Sequence, residues 1–110
     1  MISGVTHDIG GEAETFRLTT RAMMSIEDRM GGGIVEVMQG IETGFRVGTV
    51  VVILAECAND GAGRPVEWAQ GAVDDMGGVT VAGELVGRIA EAAFPQASAS
   101  GNKKRAVRSK

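Results

Sequence analysis

Glycine interrupts this chain so often that no element of it can be long. Gly10-Gly11, Gly31-Gly32-Gly33 and Gly77-Gly78, with Gly44, Gly61 and Gly63 between them, cut 110 residues into short stretches. Seventeen glycines is about twice ordinary usage, and each one inside a helix costs roughly 1 kcal/mol relative to alanine. The expectation is one domain of modest stability, residues 1–95, assembled from short elements.

The residues between the breaks decide the element types. Val5-Thr6-His7-Asp8-Ile9, Gly10-Gly11 and Glu14-Thr15-Phe16-Arg17-Leu18-Thr19 read as a β-hairpin over residues 5–19, because Phe16 and Leu18 alternate with polar neighbours. An isolated hairpin is marginal in water, so its Phe16/Leu18 face has to pack on the helices expected over residues 20–94. Thr19 or Thr20 is placed to cap a helix reaching about Met30, in which Met23, Ile26 and Met30 share one face. Ile34, Val37, Met38 and Ile41 make the apolar stripe of a second helix, which Gly44 stops.

Residues 47–58 carry mixed signals. The β-branched run Val50-Val51-Val52-Ile53 favours a strand, and Leu54-Ala55-Glu56-Cys57-Ala58 favours a helix. Length and the lack of a further strand to pair with it decide for a buried helix. Residues 59–63 read as a loop. Pro65 suits the first position of a helix to Met76, with Val66, Ala69, Ala72, Val73 and Met76 on its apolar side. Thr80 is placed to cap a last helix carrying Val81, Leu85 and Ile89, which Pro95 ends. The fold class is α+β, mostly α: an N-terminal hairpin packed on four to five short helices.

Charge separates body from tail. All 14 acidic residues and six arginines precede Gln96, whereas Lys103, Lys104, Arg105, Arg108 and Lys110 stand among residues 96–110 without an acid. That tail is too poor in apolar groups to offset the entropy of ordering, and is expected to be disordered. The acidic body argues against nucleic-acid binding there, while the basic tail reads either as a contact for nucleic acid or an acidic partner or as a solubilising or unimportant extension. The longest apolar run, Val50 to Ala55, is six residues, against about 20 for a membrane span. Met1-Ile2-Ser3-Gly4 has neither a basic region nor an apolar stretch, which argues against a secretory signal. The lone cysteine, Cys57, excludes an internal disulfide and reads as a buried, inert thiol. With three Phe, one Trp and no Tyr, the interior has to be aliphatic.

The residues offer little chemistry. His7 stands beside Asp8 in a strand pattern with no nucleophile near it in sequence, and one His with one Cys makes no zinc-ligand spacing. Glu27-Asp28 and Asp74-Asp75 point about 100° apart on their helices, so neither pair converges on one substrate atom, and both read as solvated faces. Gly31-Gly32-Gly33 lacks the preceding strand and following Lys-Ser/Thr of a phosphate loop. The expectation is a non-enzyme with no metal and no cofactor. Trp68, although counted with the core, is of the type that anchors interfaces, and Met23, Met24, Met30, Met38 and Met76 are either core filler or an adaptable binding surface.

Phe16-Arg17-Leu18-Thr19, the Ile26-Glu27-Asp28 segment ending in glycine, Val81-Ala82-Gly83-Glu84-Leu85-Val86 and Ala92-Ala93-Phe94 together carry a resemblance spanning residues 12–94. The chain resembles the small tail assembly chaperones of gene transfer agents and related phages, encoded between the tail tube and tape-measure genes. The resemblance implies a cytoplasmic protein of the bacterial host that binds the tape-measure protein, shields its apolar helices and helps tail tube protein polymerise around it. It also implies an exposed apolar surface, assigned to Ile34, Met38, Val66, Trp68 and Val73 on helices two to four, and leaves a homo-oligomer open. The alternative is a minor structural protein that stays in the virion tail. One hairpin is too little strand for a subunit that closes a ring by itself.

Overall fold

The computed structural model describes residues 2–94, and the expected basic tail lies outside them. Strands β1 (Gly4–Ile9) and β2 (Glu12–Arg17) precede five helices: α1 (Thr20–Met30), α2 (Ile34–Thr43), α3 (Val47–Cys57), α4 (Val66–Met76) and α5 (Val79–Ala93). The class is α+β and mostly α, as expected.

The strands pair antiparallel, with Val5 opposite Phe16, His7 opposite Glu14 and Ile9 opposite Glu12. Gly10 and Gly11 join them at φ values of 58° and 91°, the positive angles that a two-residue turn needs to match the strands' twist. Val5, His7, Ile9 and Phe16 face the helices, while Gly4, Thr6 and Asp8 face outward. The hairpin is shorter than the expected span. β2 ends at Arg17, and Leu18 is fully buried beyond it.

Thr19 is the N-cap of α1: its hydroxyl accepts from the Ala22 N–H at 3.2 Å, satisfying one of the orphan amides of the first turn. Gly31, at φ 75°, closes the helix. Two caps differ from expectation. Pro65 has extended backbone, φ −61° and ψ 152°, and is the N-cap of α4 rather than its first residue. Its ring fixes φ without fixing ψ, so it serves on either side of the boundary. At α5 the N-cap is Gly78, and Thr80 lies inside the first turn. Glycine at φ 107° turns the chain sharply enough for the helix to begin at once.

Residues 47–57 are helical. α3 packs against α1, α4 and α5, and from Val50 to Ala58 only Val52 is less than buried. Contact on nearly every side explains the β-branched composition: burial outweighs the small helix penalty of valine. The interior is aliphatic, with Leu18, Ile26, Ile53, Leu54, Leu85 and Ile89 at its centre, and Phe16 is the one aromatic ring fully buried in it. The α2–α3 connection is pinned by Phe45, whose ring carbon Cε2 stands 2.8 Å from where a β-carbon on Gly83 would lie.

Candidate partner-binding surface

The residues assigned to partner binding fall into two groups. Met38 and Val73 are buried, at 9% and 4% exposure, as members of the core. Ile34, Val66 and Trp68 are half-buried and pack against that core from its rim. Helical spacing puts the five on the inward stripes of α2 and α4, and inward stripes are what a core consumes first.

Trp68 is held in place by its neighbours. Its ring centroid lies 6.4 Å from that of Phe16, tilted by 43°, and the Arg64 guanidinium sits 5.0 Å above it. Arg64 is itself fixed. Its Nε donates to Glu14 Oε2 at 2.6 Å and its Nη2 to Glu14 Oε1 at 3.1 Å, the two-pronged geometry that makes arginine–carboxylate pairs strong. This raises the Arg64 pKa, first through the bond to Glu14. Trp68 is thus an internal anchor between the hairpin and α4.

Glu14 belongs to a wider seam that ties the hairpin to residues 59–64. The Asn59 N–H donates to Glu14 Oε2 at 2.7 Å, the Asp60 N–H to the Thr15 carbonyl at 2.8 Å, and Arg17 Nε to Asp60 Oδ1 at 2.7 Å. Asn59 and Asp60 reach these partners with φ values of 55° and 57°, a left-handed conformation that Asn and Asp tolerate better than most residues. Gly61 follows where nothing larger fits, because a β-carbon there would stand 2.4 Å from Thr19 Cγ2.

Beside the loop two half-exposed arginines converge on a buried carboxylate. Glu56, exposed by 7%, receives Arg21 Nη2 at 3.2 Å on Oε1 and Arg29 Nε at 3.1 Å on Oε2. Arg21 also donates to the Glu56 and Gly61 carbonyls. The cluster fastens α1 to the end of α3. Sequence reasoning misses it because residues 35 positions apart share no local pattern. Glu27, expected on a solvated face, instead caps α2: its Oε2 accepts from the Ile34 N–H at 2.8 Å.

The large apolar side chains that do face outward are Met24, exposed by 65%, and Val35, by 58%, with Val47 and Val79 at other helix starts. Met24 borders an open hollow on α1 with Ser25, Glu27 and Asp28. The signal is present in the sequence: Met24 and Val35 each follow a stripe residue, Met23 or Ile34, and so point about 100° off the inward face. Met23, Met30 and Met76 are half-buried.

His7 Nδ1 lies 3.1 Å from Arg88 Nη2, and Asp8, its neighbour, points to the opposite face of the strand. Burial, and then the charge of Glu56, push the Cys57 thiol up to about 12, far above the range of a reactive cysteine. Among the described residues no three His, Cys, Asp or Glu side chains are grouped so as to hold a metal ion, and no helix is long and apolar enough to cross a membrane.

A search of curated proteins and a search of solved structures find no match to this chain. A scan of family models matches residues 3–96, which include both strands, all five helices and the loop seam, to the family described as phage tail tube protein, GTA-gp10. The chain belongs to that family.

Proposed function

We propose that this protein is a minor structural component of a phage-like tail, carried in the particle, which works by binding neighbouring tail proteins and not by chemistry. The family match along residues 3–96 carries the reading, since its description is that of a tail tube protein. The half-buried Ile34, Val66 and Trp68 and the more exposed Met24 and Val35 are the apolar groups such neighbours would cover. Tail tube protein is the first partner to expect.

A second reading, an assembly chaperone that binds the tape-measure protein in the cytoplasm and then leaves, is favoured by one observation. Among the described residues the only sheet is two-stranded, whereas a subunit that closes a ring on its own needs far more strand. The test is co-production with the tape-measure and tube proteins, followed by mass spectrometry of the complexes and of finished particles. A fixed ratio in washed particles supports the structural reading. Recovery with the tape-measure protein and absence from particles overturns it in favour of the chaperone.

A further inference from the structure

The hairpin is bonded on one side and open on the other. In a two-residue turn the flanking pair, Ile9 and Glu12, exchanges its hydrogen bonds inward, so the alternation assigns Ile9, His7 and Val5 to the ladder. The backbone N–H and C=O groups of Gly4, Thr6 and Asp8 then point away from β2. An independent bond supports this phase: Thr15, opposite Thr6, turns its carbonyl out of the hairpin to accept from Asp60. β2 therefore has its outer edge partly covered by the 59–60 segment. No loop or helix backbone among the described residues bonds to Gly4, Thr6 or Asp8, and all three residues are exposed.

A row of unmet donors and acceptors on an edge strand is a template for another strand, and a two-stranded sheet gains most from enlargement. Three features select the partner. The edge is short, so a register that uses Gly4, Thr6 and Asp8 together is worth more than one using two of them. In an antiparallel pairing of β1 with its own copy, that full register places Thr6 opposite Thr6 and Asp8 opposite Gly4. The third feature is charge. The Arg17 guanidinium is drawn across Gly4, its Cζ only 3.3 Å from where a β-carbon would lie, so Asp8 of one copy meets Arg17 of the other. A slip by two residues in one direction sets Asp8 opposite Thr6 and leaves the two Asp8 carboxylates diagonal to each other, and in the other it sets Gly4 opposite Thr6 and leaves the two Arg17 guanidinia diagonal. Both lose a bonded pair.

We propose that the free edge of β1 pairs with β1 of a second copy about a two-fold axis through Thr6, forming one four-stranded sheet across a dimer. The interface is isologous and closes on itself, which blunts the edge against further addition. Such a dimer can form whether or not the protein stays in the particle.

Register-specific cross-linking of the full-length protein tests it. Across the axis the Thr6 α-carbons lie about 5.5 Å apart, within disulfide reach, whereas the two Asp8 positions are offset by four residues, about 13 Å. Thr6→Cys should form a disulfide-linked dimer under mild oxidation and Asp8→Cys should not. Light scattering of the unmodified chain should show a dimer. Thr6→Pro, which removes an outward N–H and the hydroxyl bonded to Thr15 but no backbone bond of the hairpin ladder, should weaken that dimer at least tenfold with an unchanged far-ultraviolet spectrum, whereas Thr6→Val, which loses the hydroxyl alone, should leave it intact. A monomer at all concentrations, equal cross-linking at positions 6 and 8, or a dimer indifferent to Thr6→Pro overturns the proposal. So does capture of the edge by a strand of a tail protein in place of the second copy.

Discussion

Arg21 and Glu56 meet twice, through the side-chain carboxylate at 3.2 Å and through the Glu56 carbonyl oxygen at 2.8 Å. Arg29 meets the carboxylate alone. Removing either arginine leaves Glu56 paired with the other, but removing Arg21 also strips donors from two carbonyls. Arg21→Ala should cost about 2 kcal/mol and Arg29→Ala about 1 kcal/mol. Urea unfolding at a constant m-value reads both, and a reversed order would show that the backbone contacts carry no weight.

Gly61 and Gly11 both need positive φ, at 89° and 91°, but a β-carbon meets Thr19 at the first and nothing within 4 Å at the second. Gly11→Ala should cost about 1 kcal/mol of backbone strain, and Gly61→Ala about 2 to 3 kcal/mol once the clash is added. Equal losses in thermal unfolding would mean the loop seam yields freely.

On α5 two glycines should respond with opposite signs. A β-carbon at Gly87 would have nothing within 4 Å, so Gly87→Ala should stabilise by about 0.5 to 1 kcal/mol through helix propensity. Gly83→Ala drives a methyl into Phe45, and overpacking at that contact should destabilise by about 1 kcal/mol or more. Thermal unfolding of the two variants side by side holds helix and substitution constant, and a shift of the same sign in both would contradict the Phe45 contact.

Cys57 gives a pH dependence with a defined sign. Its thiol stays protonated in the fold up to about 12, against an ordinary value of 9.0 in the open chain. Below pH 9 both states hold the proton and its contribution is complete. Between about 9 and 12 the unfolded chain releases it first, so stability should fall by about 1.4 kcal/mol per pH unit from this group. Cys57→Ala should flatten that part of the profile while costing a constant amount for the lost volume. A thiol reagent at pH 8 should label the native protein only as fast as it unfolds, and rapid labelling would contradict the burial.

The elements are legible in the sequence because each rests on local chemistry. Glycine pairs mark the turns, Thr19 marks a cap, and stripes such as Val81, Leu85 and Ile89 mark inward faces. The helix at 47–57 follows only by elimination, since its valines point the other way until α1, α4 and α5 surround them. Pro65 and Thr80 stand one or two positions away from the roles their residue types suggest, where a boundary depends on ψ and no side chain specifies it. The candidate surface is harder to read. Met38 and Val73 obey the same periodicity as any core residue, and nothing local separates an apolar group that packs inside from one awaiting a partner. The Glu14–Arg64 and Glu56–Arg21 pairs join residues 50 and 35 positions apart, so only the folded chain brings them together.

The seam between the hairpin and residues 59–64 sets an order of events. Strands that come first in the chain take their fastening from residues more than 40 positions later, and long loops must close before such contacts form. During synthesis the hairpin has to wait, loosely formed, until Arg64 has left the ribosome.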